Sequence, residues 1–196
     1  KPTGITFTSG ATEAANIALF GFCERNRSKG NHIITCKTEH KAILDAMKAL
    51  ESKGFEVTYM DVDAEGNIDL KELEQAITSS TILVCLMLAN NETGLIHPMS
   101  DIEKIVHSKD VKLMSDITQA VGKIPVDLIK LNLDLAIFSS HKIYGPKGTG
   151  ALYINKKSKV EIDPYVFGGG QEKGLRPGTM NVPGIVGFGK AAEIAS

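Results

Sequence analysis

Apolar positions along the chain fall into two kinds of stretch: short continuous runs, and segments where they recur every three or four residues. The first kind reads as buried strands and the second as amphipathic helices. Residues 5–8 form a short strand, and Ala14, Ile17, Ala18 and positions 21–22 then carry helical spacing. Residues 31–35 read as a strand, and a helix runs from Thr38 to about Glu51 with His40 in its first turn. Weak alternation over 55–60 predicts an edge strand. After a turn at 63–67, a short helix spans 69–77 with Asp69 as its cap. The unbroken apolar run 81–88 is the kind found in a central parallel strand. A helix over 98–107, a strand over 111–114, a short helix over 125–131 and a strand over 133–138 follow. Residues 150–154 return as a strand, antiparallel because the connection is too short for a crossover. A last helix covers 184–195. Strand and helix alternate, which predicts an α/β fold with a mostly parallel sheet.

Polar residues gather where the strands end. In open α/β sheets ligands bind beyond the carboxyl ends of the strands. Thr12, His40, Asn91, Asp116, Gln119, Ser139, His141 and Lys142 all fall on that side. Lys142 follows the run 133–138, whose one charged residue is Asp134. A lysine at the end of a core strand is costly, because burial disfavours its charge, and such a placement suits an amine used as a nucleophile. A strand-end lysine pointing into water is the plainer reading. Residues 9–12 form a strand-to-helix turn whose free N–H groups suit a phosphate, although Ser9 or Thr12 acting only as a helix cap explains the same residues. His40 near a helix start is favoured as neutral imidazole, or is simply a surface residue. Asn90 and Asn91, two amides together, suit hydrogen bonding to a ligand.

Composition removes several function classes. The chain has 196 residues, 42% hydrophobic and 23% charged, with net charge −1. That balance gives no reason for a nucleic-acid or anionic-membrane partner. No apolar stretch reaches the ~20 residues of a membrane helix. Cys23, Cys36 and Cys85 are odd in number and lack metal-ligand spacing, so no metal is expected and the thiols read as reduced, in a reducing compartment. Only Cys36, near the strand ends, lies close to the expected site. The loop 168–179 is glycine-rich but follows no strand, which excludes a dinucleotide fingerprint. The chain opens at Lys1 directly ahead of a strand, as an excised piece of a larger protein would.

A phosphate-binding turn, a carboxylate and a strand-end lysine together suggest pyridoxal 5'-phosphate. Six motifs then carry a resemblance: Ser9-Gly10-Ala11-Thr12-Glu13, Thr38-Glu39-His40-Lys41, Asn90-Asn91-Glu92-Thr93-Gly94, Asp116-Ile117-Thr118-Gln119, Ser140-His141-Lys142-Ile143-Tyr144-Gly145-Pro146-Lys147-Gly148 and Arg176-Pro177-Gly178-Thr179. In order, over nearly the whole chain, they resemble cysteine desulfurases of the iron–sulfur-cluster type, in the class V aminotransferase group.

The resemblance implies a three-layer sandwich, the large domain of a fold-type I pyridoxal phosphate enzyme, over residues 1–196. It implies Lys142 as the Schiff-base lysine, Asp116 at the pyridine nitrogen and Gln119 at the ring hydroxyl. His40 would stack on the ring and shuttle protons, and Asn91 would lie near the ring oxygen and the substrate carboxylate. Ala11, Thr12, Ser139 and His141 would hold the phosphate. Thr179 would reach the phosphate of a neighbouring subunit, so a homodimer is implied. The partners implied are L-cysteine and a sulfur-acceptor or cluster-scaffold protein, in the cytoplasm, or the mitochondrial matrix of a eukaryote.

Ile117 stands where the family has alanine against the ring, which leaves substrate preference open. The nucleophilic cysteine, the substrate-binding arginine and the small domain are expected outside this stretch. Alternatives are a selenocysteine or cystine lyase of the same group, or a non-catalytic scaffold that keeps the fold.

Overall fold

The computed structural model describes residues 4–195. Seven strands, β1 (Ile5–Thr8), β2 (His32–Cys36), β3 (Glu56–Met60), β4 (Thr81–Cys85), β5 (Lys112–Asp116), β6 (Leu135–Ser139) and β7 (Gly150–Ile154), form one sheet in the order β1-β7-β6-β5-β4-β2-β3. Every pairing among β2 to β6 is parallel, and β7 runs antiparallel to both β6 and β1. The carboxyl ends of β1, β2, β4, β5 and β6 therefore lie along one edge. β3 is the edge strand that its weak alternation predicted, and β7 returns as expected.

Helices cover both faces. α1 (Ala11–Asn26) and α2 (Lys41–Glu51) bury Ile17, Leu19, Ile43 and Met47 against Ile33, Leu83, Met114 and Leu135. On the opposite face, α3 (Leu70–Ala76) and α4 (Met99–Ser108) bury Leu73, Ile102 and Val106 against Ile34, Val84, Leu113 and Ala136. Along β2, β5 and β6 alternate residues supply the two cores, as the pleat requires. α5 (Val182–Ile194) packs through Phe188 on Ile143 and Ala151. The result is a three-layer α/β sandwich with a mostly parallel sheet.

Local chemistry places most of the boundaries. The Asp69 carboxylate accepts from the amides of Lys71 and Glu72 and starts α3. The expected helix over 125–131 does not form. The Asp127 side chain accepts from the Ile129 and Lys130 amides, which makes a single turn, and Asn132 at φ +47° ends it. Asx turns of this kind compete with helix propagation.

Asp134, buried just ahead of β6, holds the sheet's amino-terminal edge. It accepts from His107 Nε2 at 2.7 Å and from the Leu113 amide at 2.8 Å, with Lys112 Nζ at 3.3 Å. His107 also meets Glu103 at 2.7 Å. This cluster lies at the opposite end of the strands from the converging loops.

Candidate active site

The loops after β1, β2, β4, β5 and β6 enclose a cavity of about 630 Å³. Volumes of roughly 300–1,000 Å³ are usual for sites that take small molecules and cofactors. Ala11, Thr12, His40, Asn91, Asp116, Gln119, Ser139, His141 and Lys142 all line it. Thr179 does not; it is exposed in the loop ahead of α5.

The strand-to-helix turn after β1 leaves the first amides of α1 uncapped. Gly10 caps α1 with an extended backbone and no side-chain hydrogen bond. Neither Ser9 nor Thr12 caps the helix, so the plainer reading of that turn fails. A helix start without a cap has amides to offer an anion. Gly150 on β7 sits directly beneath: a Cβ there would lie 2.5 Å from the Gly10 carbonyl carbon and 2.9 Å from the Ala11 nitrogen. The turn can approach the sheet only because that position carries no side chain.

Asp116 ends β5 and is buried, with Oδ1 accepting from the Thr118 amide at 2.9 Å. Burial pushes its carboxyl above the usual range, opposed by Thr118 and by His40. The Ile117 amide still bonds Ile137 of β6 at 3.0 Å, so strand pairing continues past Asp116. Alternation then turns Ile117 to the opposite face, where it is 1% exposed and packs with the α3/α4 core. The expectation that Ile117 lies against the cofactor ring is corrected here: Thr118 lines the cavity instead, with its Oγ1 buried and unpartnered among the described residues.

Lys142 sits on a 3-10 turn, Ser140–Ile143, straight after β6. Its side chain is exposed to the open cavity, rather than held out of water as the burial argument expected. The turn is closed by Tyr144 at φ +63°, a left-handed conformation unfavourable for a tyrosine. Strain of this kind clusters at functional sites. Ser139 Oγ bonds His141 Nδ1 at 2.8 Å. Burial, followed by the charges of Lys142 and Lys147, holds His141 below the usual imidazole range.

His40 is the cap of α2 rather than a residue of its first turn. Its Nδ1 accepts from the Ala42 amide at 3.1 Å, so a ring proton sits on Nε2. The two asparagines divide their labour. Asn90 is buried; its Nδ2 donates to the Thr38 carbonyl at 3.0 Å and its Oδ1 accepts from the Glu92 and Thr93 amides, so it shapes the loop. Asn91 faces the cavity and bonds Glu92 at 2.6 Å. Gln119 Oε1 accepts from Lys123, which leaves its amide N–H₂ group as a donor.

Sequence reasoning missed several lining residues. Glu13 accepts from the Ser9 amide and from Arg176 Nε at 3.1 Å, tying the turn to the loop 168–179. Burial pulls Glu13 upward, but Ser9 and the Arg176 guanidinium hold its carboxyl below the usual range. Glu92 and Lys147 stand at the rim. An acidic residue in a first helical turn reads only as a partner of the dipole, so Glu13 carried no distinguishing signal. The three cysteines are free and buried, and none lines the cavity. Burial pushes the thiols of Cys23, Cys36 and Cys85 up. No group of metal-ligating side chains occurs among the described residues.

Comparison with known proteins agrees with this layout. The aminotransferase class-V family profile matches residues 1–196. A cysteine desulfurase IscS from Anaeromyxobacter sp. (strain Fw109-5) is 53% identical over 191 residues, covering 97% of this chain and 47% of that protein. Its counterpart from Rickettsia rickettsii (strain Iowa) is 52% identical, with the same coverage. Among solved structures, a NifS-like protein superposes with a TM-score of 0.96 at 49% identity, covering all of this chain and 53% of that one. SspA, solved in complex with cysteine, superposes with a TM-score of 0.93 at 40% identity, covering 98% and 56%. The chain thus spans about half the length of the curated relatives it matches. With the family profile matched end to end and the fold shared, this chain belongs to the aminotransferase class-V family.

Proposed function

We propose that the chain is the cofactor-binding part of a pyridoxal 5'-phosphate-dependent cysteine desulfurase. The reaction takes sulfur from L-cysteine, leaves L-alanine and passes the sulfur as a persulfide to an acceptor protein. One observation carries the reading: an amine, a buried carboxyl and uncapped helix-start amides face a single cavity. The desulfurase names of the relatives and the cysteine bound to SspA support the choice of substrate.

The residues fit the cofactor. The bare α1 start and the close approach at Gly150 make a cradle for a phosphate. When bound, the cofactor supplies an electron sink that stabilises negative charge on the substrate carbon beside its amino group. The rest is the work of this chain's side chains. Ala11 and Thr12, with Ser139 and His141, hold the phosphate. Asp116 would keep a proton on the ring nitrogen, Gln119 would donate to the ring hydroxyl, and His40 would stack on the ring. Asn91 lies beside the substrate carboxylate. Lys142 would hold the cofactor through its amine and would move a proton at the substrate Cα.

None of the three cysteines is placed to take the sulfur, since all are buried with raised thiols. The nucleophilic cysteine and the substrate-binding arginine belong to other parts of the protein in this reading. Thr179, exposed and away from this cavity, reaches the phosphate site of a second subunit, so the working unit is a homodimer. The acceptor serves iron–sulfur cluster assembly or thionucleoside synthesis. Among the described residues no helix is long and apolar enough to cross a membrane, and we place the enzyme in the cytoplasm, or the mitochondrial matrix of a eukaryote.

The test is product release by the intact protein from competing substrates: alanine from L-cysteine or selenocysteine, and pyruvate from cystine. The wild type should favour cysteine, and Lys142→Ala should lose about 10³-fold in rate. Release that survives in Lys142→Ala, or that occurs only with selenocysteine or cystine, contradicts the assignment.

A further inference from the structure

Glu39 is buried beneath the site, one residue before His40, and no cation pairs with it among the described residues. Its Oε1 accepts from the Met87 amide at 2.6 Å, and its Oε2 is buried without a partner. The bond joins two segments far apart in sequence: the start of α2, which carries His40, and the stretch after β4, where Met87 and Asn91 line the cavity. Burying an unpaired carboxylate is so costly that such a group keeps its proton instead.

We propose that Glu39 is a positioning residue, held as the uncharged acid, which splices the end of β4 to the start of α2 and leaves Asp116 as the one buried anion of the site. The ionisable groups packed around it are Asp116 at the end of β5, Cys36 at the end of β2, Cys85 on β4 and His40 beside it. None is a lysine or arginine, so nothing nearby would stabilise a second anion. Burial, together with the charge on Asp116, holds the Glu39 carboxyl well above the usual range. Asp116 therefore ionises first, and an uncharged Glu39 does not compete with it for a bound cation. A glutamine could replace Glu39, because its carbonyl accepts the Met87 N–H and it carries no charge. An alanine would leave that buried amide without a partner.

The role of Glu39 in cofactor binding rests on the function proposed above; its protonation and splice do not, and they are read first in the cofactor-free intact protein. A carboxyl that is neutral when folded and ionised when unfolded removes stability as pH rises above its ordinary value of about 4.3. Glu39→Gln lacks that loss. Its melting temperature relative to wild type should therefore rise between pH 5 and pH 8 by roughly 4 °C or more. A difference that stays flat, or that moves the other way, overturns the proposal. In cofactor titrations Glu39→Ala should weaken pyridoxal phosphate binding about tenfold or more, with Glu39→Gln restoring it to within about threefold. Equal binding by Glu39→Ala and wild type refutes the positioning role. Should Glu39→Ala not fold, the Glu39→Gln melting profile decides alone. If the proposed function were wrong, the cofactor titration would be blank for wild type as well, while the melting profile would be unaffected.

Discussion

At the scale of single residues, the strand ends separate neighbours that look equivalent in a sequence. Asp116, Ile117 and Thr118 are consecutive, yet the first and third line the cavity while the second is core. Ile117→Ala should therefore destabilise the fold by about 2–4 kcal/mol and leave the cofactor spectrum in place, as thermal melting and absorbance would show. Thr118→Val replaces a buried hydroxyl with no partner among the described residues by a methyl group. It should leave the cofactor-free protein as stable or slightly more so, because an orphan polar atom is removed. Reversed outcomes would put Ile117 back in the pocket. The same contrast separates Asn90 from Asn91, since only local hydrogen bonding decides which amide builds the loop and which faces it. That information was not legible in the chain. The residue types at each strand end were, because apolar runs stopping at Asp116 and Lys142 are hard to place anywhere but a sheet edge.

At the scale of elements, two contacts fix how the strands meet their neighbours. The first is the close approach of β7 to the turn before α1. Gly150→Ala would drive a Cβ into the Gly10 backbone. We expect a loss of about 1–3 kcal/mol in stability, with weakened phosphate binding measured by cofactor titration. The second is the His107–Asp134–Glu103 cluster at the amino-terminal edge. The hydrogen bond to Asp134 raises His107 above its ordinary range against the effect of burial. For Asp134 burial acts upward, but His107, the Leu113 amide and Lys112 together hold the carboxyl below its range. A raised histidine adds stability below its ordinary value of about 6.5 and loses it as pH climbs through the folded value. A depressed aspartate adds stability above its ordinary value of about 3.9 and loses it as pH falls. The cluster thus contributes most between about pH 4 and 6.5. His107→Gln should cost more melting temperature at pH 5.5 than at pH 8.5, and a cost independent of pH would show that His107 is neutral in the fold. The strands themselves were legible from apolar runs, and α2 and α4 from their period. The turn at 125–131 was not, since its apolar spacing mimics a helix that the Asp127 side chain forestalls.

At the scale of the whole molecule, β2, β4, β5 and β6 run parallel and β1 runs the same way beyond β7, which brings residues from five separate segments to one rim. Nine of the ten residues expected at the cofactor line one cavity, because the topology places every relevant strand end on the same edge. Thr179 is the exception: it is exposed outside the cavity, where the proposed role across a subunit boundary would put it. Glu13 and Glu39 escaped sequence reasoning because each accepts from a backbone amide, and Glu13 also from the distant Arg176, and the chain carries no mark of which donor a carboxylate will meet. What the motifs could not convey is exposure: Lys142 opens onto the cavity instead of being sealed beneath the sheet. The central claim is that this amine is the one joined to the cofactor. Incubating the intact protein with pyridoxal phosphate, reducing with borohydride and mapping the modified peptide tests it directly. The account predicts a single stoichiometric label on Lys142, whereas a label on Lys147 or another lysine, or none, would contradict it.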